Sequence, residues 1–263
     1  MPKVINPAGE AVNFILILPQ EMTMSIKSPN KVALITGATG TFGSELALQC
    51  AKAGWETILL GKNNRRLEAL YDRLVEAGGP DPQIMALDMT RFGPDECQEM
   101  IAAIENSTGR LDALIHCAVT FPGLRPLDQI KPQDWLSEVQ INLNVPWLLS
   151  VYCLPLLRES LEPSLIFLTE DMEKMSAAYW GSYGVCKHGI QAMSLQFQAE
   201  LNNTSIQVLS INPGPMQSSL RARVYHSEDP QSPDPAAISA KKTLRLLERN
   251  LSPSSSILNL QDM

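Results

Sequence analysis

The segment that most constrains the fold is residues 31–55, KVALITGATGTFGSELALQCAKAGW, in which an apolar run passes through three glycines into a helical pattern. The run Val32–Ile35 predicts a buried strand. Gly37, Gly40 and Gly43 permit a sharp turn and a close approach to a pyrophosphate, which the free N–H groups and dipole of the following helix attract. The segment predicts a nucleotide-binding unit; the alternative is a glycine turn that serves only the junction.

The rest of the chain alternates between strand and helix patterns. Such alternation is typical of a parallel sheet with helices on both faces. We therefore expect an α/β protein: a single doubly wound Rossmann domain with a mostly parallel seven-stranded sheet flanked by helices. Pro146 and Pro155 are each expected to bend or end the long helix that begins at Pro132. The strands are predicted at residues 32–35, 56–60, 83–87, 111–116, 164–169, 205–211 and 256–260, and further helices at 64–77, 95–106, 132–157, 183–202 and 235–249.

Length and composition fit one domain. The chain has 263 residues, 44% of them hydrophobic, which is enough for one sizeable domain and too few for two. We assign residues 30–263 to the domain and residues 1–29 to an N-terminal extension that is expected to be flexible. The alternatives for the extension are packing at the domain's edge or a start at Met22 or Met24.

Charge, cysteines and hydropathy exclude several partners. A net charge of −7 argues against nucleic acid, and five cysteines without ligand spacing indicate a reducing cytosol and no metal site. The apolar run Ala11–Leu18 is too short to cross a bilayer and lacks the flanks of a signal peptide, and no other segment approaches spanning length. A cytoplasmic protein with no membrane partner is predicted.

A second motif lies in residues 179–189, YWGSYGVCKHG. Tyr183 and Lys187 are four apart in a segment that reads as the start of a helix, so both side chains lie on one face. An ammonium beside a phenol lowers the pKa of the phenol toward the range of proton exchange at neutral pH. The pair is therefore a candidate general acid/base, although the spacing alone can arise by chance.

Together, the glycine turn, the Tyr183/Lys187 pair and the Asn-Pro-Gly turn at residues 212–214 resemble the short-chain dehydrogenase/reductase family, over residues 30–260. Within that family, segments such as WGSYGVCK and INPGPMQSSLRA are similar to bacterial YciK-type oxidoreductases. The resemblance implies hydride transfer between a nicotinamide cofactor and a small-molecule carbonyl or alcohol. It also implies a homodimer or homotetramer that pairs through residues 133–157 and 182–202.

The resemblance implies roles for individual residues. Tyr183 is the acid/base, Lys187 holds the nicotinamide ribose and lowers the pKa of Tyr183, and Asn142 anchors a water relay from Lys187. Asn142 has an alternative role in satisfying a helix carbonyl, and Asp88 in capping the next helix. The implied cofactor-binding residues are Gly37, Thr39, Gly40, Thr41, Phe42, Gly43, Lys62, Asp88, Met89, Cys117, Ala118, Tyr183, Lys187, Pro213, Gly214 and Ser218.

Cofactor choice depends on the end of the second predicted strand. A carboxylate there would accept hydrogen bonds from a ribose 2′-hydroxyl and repel a 2′-phosphate. The chain has Leu60-Gly61-Lys62-Asn63-Asn64-Arg65 instead, with no carboxylate and two cations. Lys62 can neutralise the extra phosphate, so NADP is predicted and NAD stays possible. The alternative is that Lys62 and Arg65 are simply solvent-exposed side chains at the start of a helix.

Three departures from the family pattern bear on activity. Thr41 stands where a glycine is expected, which predicts a differently shaped turn because a β-branched residue resists positive φ. After the fourth predicted strand, His116-Cys117-Ala118-Val119 replaces the usual Asn-Asn-Ala-Gly. This replacement is expected to loosen or reshape the wall of the cofactor site at that point. His116 is predicted to be packed or cofactor-facing rather than a base. Counting back thirteen residues from Tyr183 to the family's substrate-orienting serine reaches Glu170; ionised, Glu170 would raise the pKa of Tyr183.

These observations predict an NADP-dependent oxidoreductase with Tyr183 as the acid/base. The alternative is a nucleotide-binding pseudo-enzyme with lost or weak turnover because of Glu170. A third hypothesis, a sugar-nucleotide epimerase suggested by the glycine spacing, is disfavoured by the short C-terminal region. The substrate pocket is predicted from residues 119–131, 170–179 and 217–235, with mostly apolar contents and a mobile flap at Ser227–Pro235.

Overall fold

The computed structural model describes residues 30–249, 255 and 257–263, so the N-terminal extension and Ser256 lie outside the described residues. Its centre is a seven-stranded sheet whose neighbouring strands are all parallel. The predicted α/β Rossmann architecture is confirmed. The strands are β1 Val32–Thr36, β2 Glu56–Gly61, β3 Gln83–Ala86, β4 Ala113–His116, β5 Ser164–Leu168, β6 Gln207–Asn212 and β7 Ile257–Asn259.

The strand order is β3-β2-β1-β4-β5-β6-β7, so the order reverses between β1 and β4. Helices connect the strands on both faces, and short 3-10 turns occur at Met89–Arg91, Leu127–Gln129 and Leu260–Asp262. The helices are α1 Thr41–Lys52, α2 Asn64–Glu76, α3 Pro94–Thr108, α4 Pro132–Val139, α5 Val145–Arg158, α6 Met172–Met175, α7 Gly181–Glu200, α8 Ser219–Ala222 and α9 Ala236–Leu247.

Two apolar cores lie on opposite faces of the sheet because successive strand residues point to opposite sides. Val32 and Leu34 of β1 contribute to the core covered by α3, α5 and α7. Ala33 and Ile35 contribute to the core covered by α1, α2 and α9. Burial on both faces explains why the strands read as continuous apolar runs rather than as an alternating pattern.

The prolines of the long helical stretch have different effects. A π turn at Gln140–Asn144 joins α4 to α5 immediately before Pro146. Pro146 has no N–H to donate to the carbonyl of Asn142, and a local π turn is one way in which a helix accommodates such a defect. Pro155 lies inside α5, which continues to Arg158. Of the two expected effects, bending or ending the helix, Pro155 therefore does not end it.

One helical stretch of the described chain, Pro132–Arg158, is long and apolar enough to cross a membrane by length and composition. The expectation that no segment approaches spanning length is therefore wrong. However, 44% of its apolar window is buried inside the protein. Leu149, Cys153 and Leu157 are fully buried in the core against the sheet, which is the position of a core helix.

Candidate active site

The loops after β1, β4, β5 and β6 meet at the carboxyl edge of the sheet and enclose a cavity of about 380 Å³. Open parallel sheets bind ligands at this edge, where the strand order reverses. The cavity brings together most of the predicted site residues. Those that line it are Gly40, Thr41, Phe42, Gly43, Cys117, Ala118, Glu170, Tyr183, Lys187, Pro213, Gly214 and Ser218.

The turn after β1 requires glycine at two positions. Gly37 has a φ of +60°, and a Cβ there would lie 2.6 Å from the Cα of Ala118. A Cβ on Gly43 would lie 2.5 Å from the carbonyl oxygen of Gly37. Gly40 is the N-cap of α1, and Thr41 is the first residue of that helix. Thr41 therefore needs no positive φ, so the turn accommodates this β-branched residue by placing it in the helix.

The N-terminus of α1 fits a phosphate group. No side chain caps it, and no acidic residue lies in its first turn. The first turn, Gly40–Gly43, lines the cavity. An uncapped helix N-terminus presents N–H groups and a positive dipole end to an anion. Together with the cradle formed by Gly37 and Gly43, this end of the cavity fits the pyrophosphate of a dinucleotide.

Besides Gly37, four predicted cofactor residues are not among those that line the cavity. Thr39 accepts a hydrogen bond through its carbonyl from Arg66 (2.8 Å), and Lys62 is exposed beyond β2. Asp88 caps the 3-10 turn by accepting from the N–H of Thr90 (3.0 Å). Burial opposes the charge on Asp88, but the Thr90 hydrogen bonds and Lys62 lower its pKa overall. Met89 is buried in the core, so its side chain is not available to a cofactor.

Tyr183 and Lys187 stand on the first turns of α7, beside the carboxyl end of β5. The Tyr183 hydroxyl donates to Oε1 of Glu170 at 2.8 Å, so the glutamate does face the site. Nζ of Lys187 donates to the carbonyl of Leu168 at 2.8 Å and lies 5.4 Å from the centroid of the Tyr183 ring. Both side chains are buried. The expected pair is therefore present, with a carboxylate as a third member.

The electrostatic balance differs from that expected from the Tyr-Lys spacing. Burial and the Glu170 carboxylate raise the pKa of Tyr183 well above its usual value. Burial lowers the pKa of Lys187, and Glu170 only partly offsets this effect. Among the chain's own groups, desolvation and a hydrogen-bonded carboxylate thus both favour the phenol. That Lys187 lowers the pKa of Tyr183 stays a prediction.

Asn142 lies in the π turn and holds the loop after β4. Its Oδ1 accepts from the N–H of Thr120 (2.8 Å), and its Nδ2 donates to the carbonyl of Thr120 (2.9 Å). Asn142 and Lys187 also line a second cavity of about 10 Å³, together with His116. A cavity of this size is near the lower limit for one water molecule. The predicted water relay stays a prediction, and the Asn142 amide is committed to the loop.

His116 lines both cavities, but its ring is buried and packed. Its ring stacks on Phe167 with centroids 4.9 Å apart, and its Nε2 lies 2.9 Å from Oγ of Ser150. Ser150 donates its only proton to the carbonyl of Pro146 (2.7 Å), so Nε2 of His116 must be the donor in this pair. Burial lowers the pKa of His116 to about 3. His116 is therefore neutral at physiological pH.

The wall after β4 is held without the family's asparagine. Oγ1 of Thr36 accepts from the N–H groups of Cys117 (3.1 Å) and Ala118 (3.0 Å). Two hydrogen bonds to one hydroxyl tie β1 to the residues that follow β4. The wall is thus tied to β1, and the expectation that the replacement loosens or reshapes it stays a prediction.

The substrate half of the cavity has a predominantly apolar wall, as predicted. Phe121, Met175 and Tyr183 form a buried cluster against which Trp180 and Leu220 pack. The flap predicted at Ser227–Pro235 is tied down, since Asp234 accepts from the N–H of Gln217 (3.1 Å) and Glu228 pairs with Arg221.

Sequence reasoning missed an ionic network beneath the start of α7, in which Glu138 is buried and Asp134 is partly exposed. Glu138 accepts from the hydroxyl of Ser182 and pairs with Arg125, whose Nη1 also lies 3.0 Å from Asp134. The N–H of Arg125 donates to the carbonyl of Tyr179 (2.8 Å). The network fixes the turn that presents Tyr183. Its members are separated in sequence, and no local pattern identifies them.

The fold and the site define a dinucleotide-binding protein with a tyrosine-lysine pair at the carboxyl edge of its sheet. The sequence profile of the short chain dehydrogenase family matches residues 31–229. The chain belongs to this family of oxidoreductases, which confirms the predicted family and enzyme class and leaves the epimerase hypothesis without support.

Relatives and a solved structure agree with this assignment. Oxidoreductase YciK of Escherichia coli K12 is 32% identical over 202 residues, covering 77% of this chain and 80% of YciK. Serine 3-dehydrogenase of Agrobacterium fabrum is 30% identical, covering 69% and 70% of the two chains. The structure of a short-chain dehydrogenase from E. coli CFT073 complexed with NADPH has a TM-score of 0.82 at 29% identity, covering 88% and 96%.

Proposed function

We propose that this protein is an NADP(H)-dependent oxidoreductase that interconverts a small-molecule carbonyl and its secondary alcohol, with Tyr183 as the general acid/base. One observation carries the proposal: a phenol and an ammonium from one face of α7 line the same cavity as the uncapped N-terminus of α1. The phenol and the ammonium are suited to proton transfer, and the helix N-terminus is suited to binding a pyrophosphate. The NADPH complex of the E. coli neighbour supports this cofactor.

The nicotinamide, when bound, supplies a hydride to the carbonyl carbon or removes one from the carbinol carbon. In reduction, Tyr183 gives its proton to the carbonyl oxygen, which replaces Glu170 as the acceptor of the Tyr183 hydrogen bond. Lys187 stabilises the phenolate that remains and binds the nicotinamide ribose. Cys117, Ala118, Pro213, Gly214 and Ser218 enclose the nicotinamide side.

The charge of Glu170 bears on which protonation state of Tyr183 is available to the reaction. Oxidation of an alcohol requires the phenolate of Tyr183 as a base, whereas reduction of a carbonyl requires the phenol as an acid. The carboxylate of Glu170 holds the pKa of Tyr183 high and so favours the phenol. We therefore expect the rate of carbonyl reduction to hold at neutral pH and the rate of alcohol oxidation to rise only at higher pH.

Cofactor preference is attributed to the cations that follow β2. Lys62 is exposed, and Arg66 is anchored to the glycine turn through Thr39. We expect Lys62→Ala to weaken NADPH binding about tenfold and to leave NADH binding within twofold, because only NADPH carries the 2′-phosphate. Fluorescence titration with both cofactors measures this, and Lys52→Ala at the far end of α1 is the matched control. Equal losses for NADPH and NADH would contradict the assignment.

A second candidate function has specific support. The hydroxyl proton of Tyr183, which catalysis needs, is donated to Glu170. If no substrate replaces Glu170 as the acceptor, the protein binds NADP without turnover. Such a pseudo-enzyme would use cofactor occupancy for stability or regulation.

The two candidates are separated by NADPH oxidation. The purified full-length protein is first titrated with NADPH and then assayed with a panel of aldehydes and ketones for loss of nicotinamide absorbance. The enzyme hypothesis expects saturable turnover of at least one carbonyl. Tight NADPH binding with no turnover of any carbonyl supports the pseudo-enzyme.

Assembly and location are also proposals. Apolar side chains remain exposed along the outer surfaces of the long helices, which is the pattern of a helix-pairing interface. They support a homodimer or homotetramer formed through residues 133–157 and 182–202, and the reducing cytoplasm is proposed separately from the free cysteines. The exposed residues are Leu136, Trp147, Val151, Val185 and Leu195.

A further inference from the structure

Three basic side chains line the cavity wall contributed by α6, α8 and the residues that follow α8: Lys174, Arg221 and Arg223. Two of them are neutralised by partners. Nζ of Lys174 lies 3.3 Å from Asp171. Arg221 makes a two-pronged pair with Glu228, with distances of 2.5 and 2.6 Å, and its guanidinium lies 4.3 Å from the centroid of the Tyr225 ring.

Arg223 differs from the other two. Its Nη1 donates to the carbonyl oxygen of Phe121 at 3.0 Å. Across residues 30–249, 255 and 257–263, no carboxylate lies within ion-pair distance of its guanidinium. A carbonyl is a neutral acceptor, so the contact positions the guanidinium without neutralising it. The remaining N–H groups form the planar fork that matches a carboxylate.

The contact with Phe121 places this cation close to the reacting end of the cavity. The Phe121 ring lies 4.9 Å from the Tyr183 ring, centroid to centroid. Arg223 is thus held by the backbone of the residue whose ring packs against Tyr183, and Arg223 and Tyr183 line the same cavity. One ligand in this cavity has both the Tyr183 hydroxyl and the Arg223 guanidinium on its walls.

The wall between the two ends is apolar. Met175, Trp180 and Leu220 pack around Phe121 and Tyr183. Such a wall gives favourable contact to a short hydrocarbon segment. The Arg223 residue at its edge is exposed to solvent, so its guanidinium is accessible to a charged group of a ligand.

We propose that Arg223 binds a carboxylate on the substrate, so that the substrates are oxo acids and the corresponding hydroxy acids. The inference rests on the proposed oxidoreductase function and narrows its substrate class. One uncommitted guanidinium matches a single negative charge. The carboxylate fixes the orientation, and the carbonyl a few bonds away reaches Tyr183.

The test compares short-chain and medium-chain oxo acids with their methyl esters. The esters keep the carbonyl and the hydrocarbon chain but lack the charge. We expect the wild type to prefer the acids, and Arg223→Leu to lower kcat/KM for the acids about 10- to 100-fold, chiefly through KM, with the esters within about threefold. Arg223→Lys is expected to be intermediate, because it keeps the charge but loses the fork. Arg245→Leu, an exposed arginine on α9, is the control.

Two outcomes overturn the inference: a wild type that prefers the esters, or an Arg223→Leu variant that loses acids and esters equally. The latter would assign Arg223 a purely structural role through Phe121. Failure of the proposed function has a different signature, which is no turnover of any acid or ester despite NADPH binding. In that case, calorimetry of the acids with NADPH-loaded wild type and Arg223→Leu decides: acid binding that depends on Arg223 upholds the carboxylate site, and its absence rejects the site.

Discussion

Replacing Tyr183 by Phe is expected to lower kcat for NADPH-dependent carbonyl reduction by about 10² to 10⁴-fold, the usual contribution of a general acid. The substitution removes only the hydroxyl that donates to Glu170 at 2.8 Å. The ring keeps its packing against Phe121 and Trp180, whose centroids lie 4.9 and 5.9 Å away. NADPH binding and the thermal unfolding temperature should therefore change little. Steady-state kinetics, cofactor titration and calorimetric melting measure the three quantities.

The matched control for this prediction is Tyr179→Phe. Tyr179 is a neighbouring tyrosine whose side chain is largely exposed, and its hydroxyl has no role in the proposed reaction. Its loss should leave kcat within about twofold. A Tyr183→Phe variant that retains more than a tenth of wild-type turnover would remove Tyr183 from the chemistry.

The second large effect is expected at Glu170. Replacing it with Ser removes a carboxylate that is hydrogen-bonded to the Tyr183 hydroxyl and should lower the pKa of Tyr183. Alcohol oxidation needs the phenolate, so it is active above that pKa. Its rising pH limb should therefore move to lower pH in the variant. At neutral pH, we expect the oxidation rate to rise about tenfold or more, since like charges in contact repel by roughly 1 to 4 kcal/mol.

Glu170→Gln separates charge from shape in this experiment. Glutamine keeps the size and a hydrogen-bonding group but carries no charge, so its pH profile for oxidation should resemble that of the serine variant. A wild type without turnover that gains activity in the serine variant would assign Glu170 as the cause of the loss. Identical pH profiles in wild type and both variants would show that Glu170 does not control the proton on Tyr183.

The fold could be predicted because its determinants are local. The glycine turn and the alternation of strand and helix patterns specify a parallel sheet, and the strands lie close to their predicted positions. The short helices α6 and α8 were not predicted, because four residues are too few to show a period. Their N-caps, Asp171 and Ser218, were the available local signals.

The site was only partly predictable, because its decisive contacts join distant parts of the chain. The spacing of Glu170 and Tyr183 suggested a contact, and the structure supplies the hydrogen bond. Arg223 and Phe121 are separated by 102 positions, so no window of sequence can identify the arginine as a cavity residue. Thr36 likewise holds the wall after β4 from more than 80 positions away.

The central claim is that this cavity transfers a hydride from NADPH to a carbonyl carbon. The most direct measurement follows deuterium from nicotinamide C4 of labelled NADPH into the product alcohol by mass spectrometry, with the wild-type protein and the carbonyl panel. The account predicts one deuterium on the carbinol carbon in the wild type and none above background with Tyr183→Phe. An unlabelled alcohol, or no alcohol from any carbonyl while NADPH is bound, would contradict it.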